Sequence, residues 1–397
     1  MLNTIKEYDK KYFMNTFGER IPVCFEKGNG INLYSTDGEV YKDFFAGIAV
    51  NALGHSHPDY VSALKAQAEK LIHTSNLYYV SPQSILAKKI CEMSCADKVF
   101  FSNSGAEANE GAIKLAKIYF YKQGKPEKNE IITLNHSFHG RTLATVAATA
   151  QEKYQAPYKP LTPGFKHVEI NDFDALLAQV NDNTAAIMVE LIQGESGVYP
   201  CDKEYIKKVR KLCDEKGILL IVDEVQTGIG RTGKMFSYEH FDITPDIFTL
   251  AKALGGGVPI GAVCAKDFCA KAFEPGDHGS TFGGNPFCTE AANAVLDIIK
   301  KEELVKNAEE VGAYFKEKLN ELKEKYDIIC DIRGKGLMIG VEFKEGLARK
   351  INQCLFSQKY LCGVCYNTLR ILPPLIISKN DIDEFIASLE NAILKEI

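Results

Sequence analysis

The chain is 397 residues long, with 46% hydrophobic and 25% charged residues and a formal net charge of −5. That length suits two to three domains of about 150 residues each, with enough apolar material for a large core. The balance of 47 basic against 52 acidic residues offers no basic face for nucleic acid, and no run of about eighteen apolar residues is present to span a membrane. The opening "MLNTIKEYDKKYF" has no apolar segment of a secretory signal, so the expected compartment is the cytoplasm.

In chain order, "GINLYSTDGEVYKDFFAG" reads as a hairpin, in a stretch too short for its own core. From about residue 58 helical and apolar pieces alternate. "HPDYVSALKAQAEKLI" has helical period, "KVFFSN" is a short apolar run, and "GAEANEGAIKLAKIYFY" is an amphipathic helix opening on glycine. "EIITLN", "AAIMVEL", "GILLIVDE" and "DIFTLAK" are further apolar runs between polar helices. The alternation predicts an α/β domain whose largely parallel sheet is covered on both faces. After about residue 287 long charged helices meet strands such as "GLMIGVEF" and "TLRILPP", then a last helix from Lys379, which suggests a smaller α+β domain. The expected division is 1–57, packing with the small domain, 58–286 and 287–397.

Three tempting patterns carry no function. Gly228 to Lys234, "GIGRTGK", fits the start of a P-loop, but Met235 has no hydroxyl for magnesium and the motif follows a carboxylate-bearing strand instead of opening a domain. The twelve cysteines are scattered, and Cys362 and Cys365 form the one C-x-x-C without a second pair at zinc spacing. The histidine pairs His55/His57 and His136/His139 lack an H-E-x-x-H pattern, so no metal is expected.

Ligands of open α/β sheets sit at the carboxyl ends of strands. Ser104-Gly105-Ala106 follows "KVFFSN" and opens a helix, whose free N–H groups and positive dipole end suit phosphate. Asp223 ends an apolar run, where a carboxylate needs a partner. Lys252 precedes "ALGGGVPIGA"; a semi-buried lysine with a lowered pKa acts as a nucleophilic amine. A phosphate cradle, a buried aspartate and such a lysine together describe binding of pyridoxal 5'-phosphate, with Phe138 a flat apolar surface for its ring.

The stretches "GIAVNALGHSHP", "FFSNSGAEANE", "FHGRTL", "ELIQGESGV", "LIVDEVQTGIGRTG", "PDIFTLAKALGGGVPIGA" and "HGSTFGGNP" resemble, in order, the class III aminotransferases of the fold-type I pyridoxal-phosphate group, above all the acetylornithine aminotransferases. The resemblance covers essentially the whole chain. It implies a large α/β domain with a mostly parallel seven-stranded sheet beside a smaller α+β domain, and transfer of the terminal amine of N2-acetylornithine to 2-oxoglutarate. Succinyl-diaminopimelate, ornithine and 4-aminobutyrate are the alternative donors.

By the same resemblance Lys252 holds the cofactor, Asp223 pairs with its ring nitrogen, Gln226 lies near the ring hydroxyl, Gly105 and Ala106 bind phosphate, and Phe138 stacks. Arg141 and Arg370 clamp carboxylates, a task suited to a bidentate guanidinium. Glu195 neutralises Arg370 when the donor's amine is at its far end. In a homodimer with shared active sites, Thr281 reaches the phosphate of the neighbouring subunit and Ser280 its substrate.

The chain departs from the family pattern near the Glu195 switch. Ser196 stands where glycine is usual and Leu191 where proline is common. Ile48 and Phe17 stand where related ornithine enzymes carry tyrosine hydroxyls. The loss of both favours a donor whose α-amine is blocked as a neutral amide, since an ammonium against an apolar wall is costly.

Overall fold

The structure, a computed structural model, describes residues 1–396. The most apolar runs of the sequence become strands with every residue buried: Thr184–Val189, Leu219–Asp223 and Ile247–Leu250. Successive side chains of a strand point to opposite faces. Ile187, Val189, Leu220 and Val222 accordingly enter one core, while Ala186, Met188, Leu219 and Ile221 enter a second core. A strand apolar on both faces needs helices on both. Helix Gly105–Lys122 supplies Ala108, Ala112, Leu115 and Ala116 to the second core, and Lys203–Lys216 supplies Ile206, Val209 and Leu212 to the first.

The sheet has seven strands, in the order Lys98–Ser102, Gly261–Ala265, Ile247–Leu250, Leu219–Asp223, Thr184–Val189, Glu130–Leu134 and Phe165–Val168. All pairings are parallel except those of Gly261–Ala265, which is antiparallel to both neighbours. That strand and the edge strand Phe165–Val168 were not among the apolar runs read from the sequence. "GAVCA" carries small residues and follows a glycine run, so its strand character comes from the slot between two neighbours and not from propensity.

The C-terminal residues build a four-stranded antiparallel sheet, Ile329–Lys335, Met338–Phe343, Thr368–Ile371 and Gly363–Cys365. The N-terminal hairpin Asn32–Ser35 and Val40–Asp43 forms as expected, and its second strand pairs in parallel with Tyr360–Leu361. Phe44, next along, stacks on Phe385 of helix Lys379–Leu394 at 4.3 Å between ring centroids. The N-terminal stretch thus finds in the C-terminal core the apolar partners it lacks locally. Helix Leu2–Tyr12 has no buried residue, and among the described residues no helix is long and apolar enough to cross a membrane.

Candidate active site

The carboxyl ends of the strands open on a cavity of about 450 Å³ lined by Gly105, Ala106, Phe138, Asp223, Gln226 and Lys252. Its floor begins at helix Gly105–Lys122. Ser104 caps that helix by accepting the Glu107 N–H at 3.1 Å, and Glu107 in return accepts the Asn103 N–H at 2.6 Å. Among the described residues the N–H groups of Gly105 and Ala106 have no acceptor, and they lie at the positive end of the helix. A Cβ on Gly105 would lie 2.7 Å from Val225 Cγ1, so a bare backbone is what lets the loop after Asp223 approach.

Asp223 is 3% exposed and fully hydrogen-bonded. Its Oδ2 lies 2.8 Å from both Asn109 Nδ2 and His139 Nδ1, and its Oδ1 accepts the Val225 N–H at 2.9 Å. Lys252 follows Leu250 by two residues, at φ 45°, a left-handed conformation costly for a side-chain-bearing residue and often stored at functional sites. Its partial exposure is into the cavity. Burial there pushes its amine below the usual lysine range, against the opposing pull of Glu195, and this favours the neutral, nucleophilic form.

Glu195 and Arg370 form a two-pronged ion pair, with Nη1–Oε2 at 3.2 Å and Nη2–Oε1 at 3.1 Å. Arg370 also donates to Gln226 Oε1 at 3.3 Å. Burial alone would raise the Glu195 carboxyl; the guanidinium of Arg370, with Lys252 next, holds it below the usual range. Ser196 and Leu191 are both buried and the pair forms in their presence, with Ser196 Oγ donating to Gln193 Oε1 at 3.3 Å. Arg141 lines the same cavity and is exposed, without an anionic partner among the described residues.

Four residues of interest lie elsewhere. Ser280 accepts the Asn103 side-chain N–H at 3.0 Å, one residue removed from the phosphate cradle, and Thr281 is exposed outside the cavity. Ile48, 42% exposed, does not line it, and Phe17, 75% exposed, lies in a separate cleft made by residues 2–25. Within one chain, neither forms the apolar wall expected from the sequence.

Sequence reasoning missed three buried polar residues. Asn109 joins Asp223, the His139 carbonyl (2.7 Å) and Thr249 Oγ1 (2.7 Å). In the sequence His139 stands out only as a candidate metal ligand; among the described residues no group of three ligating side chains is placed to hold a metal. Glu190 accepts the N–H groups of Phe138 (2.9 Å) and Gly194 (3.3 Å). Burial raises its carboxyl to about 7, with His139 opposing and Asp223 adding to the rise. Its signal was present: "AAIMVE" ends on an acid just as "LLIVDE" does.

The P-loop look-alike is a structural plug. Arg231 is 1% exposed and donates to the carbonyls of Leu337 and Pro373, while Lys234 pairs with Glu309 at 3.2 Å on the surface. All twelve cysteines are unpaired.

Pyridoxal phosphate suits this donor set. The two acceptor-less N–H groups match its phosphate, the solvent-shielded Asp223 its protonated ring nitrogen, and the Lys252 amine its aldehyde. The aminotransferase class-III family model matches residues 13–393. An acetylornithine aminotransferase of Methanocaldococcus jannaschii is 53% identical over 97% of this chain and 96% of its own length. The crystal structure of an acetylornithine aminotransferase from Elizabethkingia anophelis superposes with a TM-score of 0.88 at 35% identity, over 99% of each chain. An ornithine aminotransferase of Toxoplasma gondii, with partial pyridoxal-phosphate occupancy at its active site, superposes at 0.94 with 34% identity, over 99% of this chain and 94% of its own. With one set of residues able to hold phosphate, ring nitrogen and aldehyde at the strand ends, and with kinship along nearly its whole length, the chain belongs to the class-III, pyridoxal-phosphate-dependent aminotransferases.

Proposed function

We propose that the chain moves the terminal amine of N2-acetylornithine to 2-oxoglutarate, giving N-acetylglutamate 5-semialdehyde and glutamate, as a step of arginine biosynthesis. The observation that carries this reading is the unequal state of the two arginines: Arg370 is closed by Glu195, while Arg141 stands free at the mouth. A donor reacting at its far end brings an amine, and no carboxylate, to Arg370, and its own carboxylate to Arg141. When 2-oxoglutarate follows, Glu195 releases Arg370 to take the carboxylate beside the keto carbon. The kinship with an acetylornithine enzyme supports an acylated donor.

When bound, pyridoxal phosphate supplies an aldehyde that takes up the amine and a ring that withdraws electrons. Lys252 Nζ holds it and then carries the proton leaving the donor's terminal carbon. Asp223 would keep a positive charge on the ring nitrogen, Gly105 and Ala106 would hold the phosphate, and Phe138 and Gln226 would contact the ring and its hydroxyl. We assign these roles to the 58–286 unit, with Arg370 reaching in from 287–397.

Steady-state kinetics with saturating 2-oxoglutarate test the donor. Catalytic efficiency is expected to favour N2-acetylornithine over ornithine by about tenfold to a thousandfold, or roughly 1.4–4 kcal/mol. Equal efficiencies, or a preference for succinyl-diaminopimelate or 4-aminobutyrate, would replace the donor while leaving the cofactor chemistry standing.

The chain is read as a homodimer of the cytoplasm, where unpaired thiols stay reduced. Leu77, Tyr78 and Tyr79 are 86%, 67% and 104% exposed, an apolar run suited to a second copy, and Thr281 lies free to complete that copy's site. Mixing Lys252→Ala with Thr281→Asp chains is expected to restore up to about a quarter of normal activity, the share of intact sites in randomly formed hybrids. No recovery after subunit exchange, or full activity in a sedimenting monomer, would defeat the shared site.

A further inference from the structure

We propose that Tyr154 is the positioning residue of the carboxylate clamp: its ring face holds the Arg141 guanidinium at the cavity mouth. The proposal rests on Arg141 being that clamp. Arg141 Cζ lies 3.8 Å from the centroid of the Tyr154 ring and 5.5 Å from that of Phe138. The two rings meet edge to face, at 5.9 Å and 80°. Among the described residues Arg141 has no side-chain hydrogen bond and no ion pair, so the aromatic face is what orders it.

Stacking engages the π face of a guanidinium and leaves its in-plane N–H donors free for a carboxylate. An acidic holder would occupy those donors and would have to be displaced by each substrate, which is the situation of Arg370 with Glu195. A neutral ring does not compete. The ring is itself anchored. Tyr154 lies in the short helix Glu152–Gln155, and Gln155 Nε2 ties that helix to the carbonyls of Ala147 (3.1 Å) and Thr149 (2.9 Å). These carbonyls belong to the end of helix Leu143–Ala148, whose N-cap, Thr142, directly follows Arg141. Guanidinium and ring are therefore carried by one packed unit. Lys153 Nζ also lies 4.7 Å from the centroid of the same ring and donates to the Tyr366 hydroxyl at 3.4 Å, fastening the unit to the C-terminal sheet's hairpin turn.

The test uses the holoenzyme and glutarate, a dicarboxylate with neither amine nor keto group, whose dissociation constant is read by calorimetry alongside KM and kcat. Tyr154→Phe keeps the face and is expected to stay within about twofold of wild type. Tyr154→Leu removes it and is expected to raise the glutarate Kd and the donor KM by about threefold to tenfold, with kcat unchanged. Tyr154→Met serves the same purpose should the leucine variant fail to fold. Arg141→Gln should weaken binding further, and adding Tyr154→Leu to it should then cost nothing more, because both changes remove one interaction. A wild-type Kd in Tyr154→Leu beside a weakened Arg141→Gln would overturn the positioning role alone, as would fully additive losses. A wild-type Kd in Arg141→Gln would overturn the clamp and this proposal with it.

Discussion

Lys252→Ala is expected to lose transamination by about 10⁴-fold or more, since it removes both the amine proposed to hold the cofactor and the group proposed to carry the proton. The fold should survive. Lys252 is already at φ 45°, a cost alanine shares, and burial of its amine without an ion pair makes the side chain a burden on stability, not a support. The purified wild-type protein should absorb in the visible, and borohydride should fix the cofactor to the peptide containing Lys252. Near-normal turnover in the variant, or label on another lysine, would remove Lys252 from the mechanism.

Asp223→Asn is expected to lower kcat by about 10²–10³-fold, or roughly 3–4 kcal/mol, the usual scale for deleting one preorganised electrostatic contact. The substitution keeps the shape of the side chain, so the Val225 N–H at 2.9 Å retains an acceptor. The opposite oxygen faces Asn109 Nδ2 and His139 Nδ1, each at 2.8 Å, and an amide N–H₂ placed there would meet a donor. The variant should therefore lose some stability as well as the negative charge facing the ring nitrogen. Cofactor absorbance and single-turnover rates separate the two effects: full turnover with the cofactor retained would make the buried carboxylate structural.

Much of the site was legible because the chemistry falls at the ends of apolar runs. Asp223 after "LLIV" and Lys252 after "IFTLA" are visible as polar residues where burial penalises them, and the helix opening at Gly105 has a local signature in Ser104 and Glu107. Motif order added the partners. Less legible were the residues whose role depends on which face of an element meets the site. Asn109 is one polar position on a helix, and only the packing of that helix against the sheet turns it to Asp223. Glu190 carried the same strand-end signal as Asp223, yet its burial against His139 is a property of the assembled strand ends.

The sequence by itself determined the strand-forming runs and the helix caps and singled out the residues proposed to react, because these depend on period, propensity and side-chain chemistry within a few residues. The tertiary structure alone decided three things. It set Gly261–Ala265 antiparallel in the sheet between the preceding strand Ile247–Leu250 and Lys98–Ser102, which is far from it in sequence. It kept Phe17 and Ile48 out of the cavity of their own chain and put Arg141 on the face of Tyr154. It also closed Arg370 on Glu195, which lies 175 residues away along the chain. None of these follows from period or propensity within a few residues, because which surfaces bury one another is chosen by the packing of the whole core.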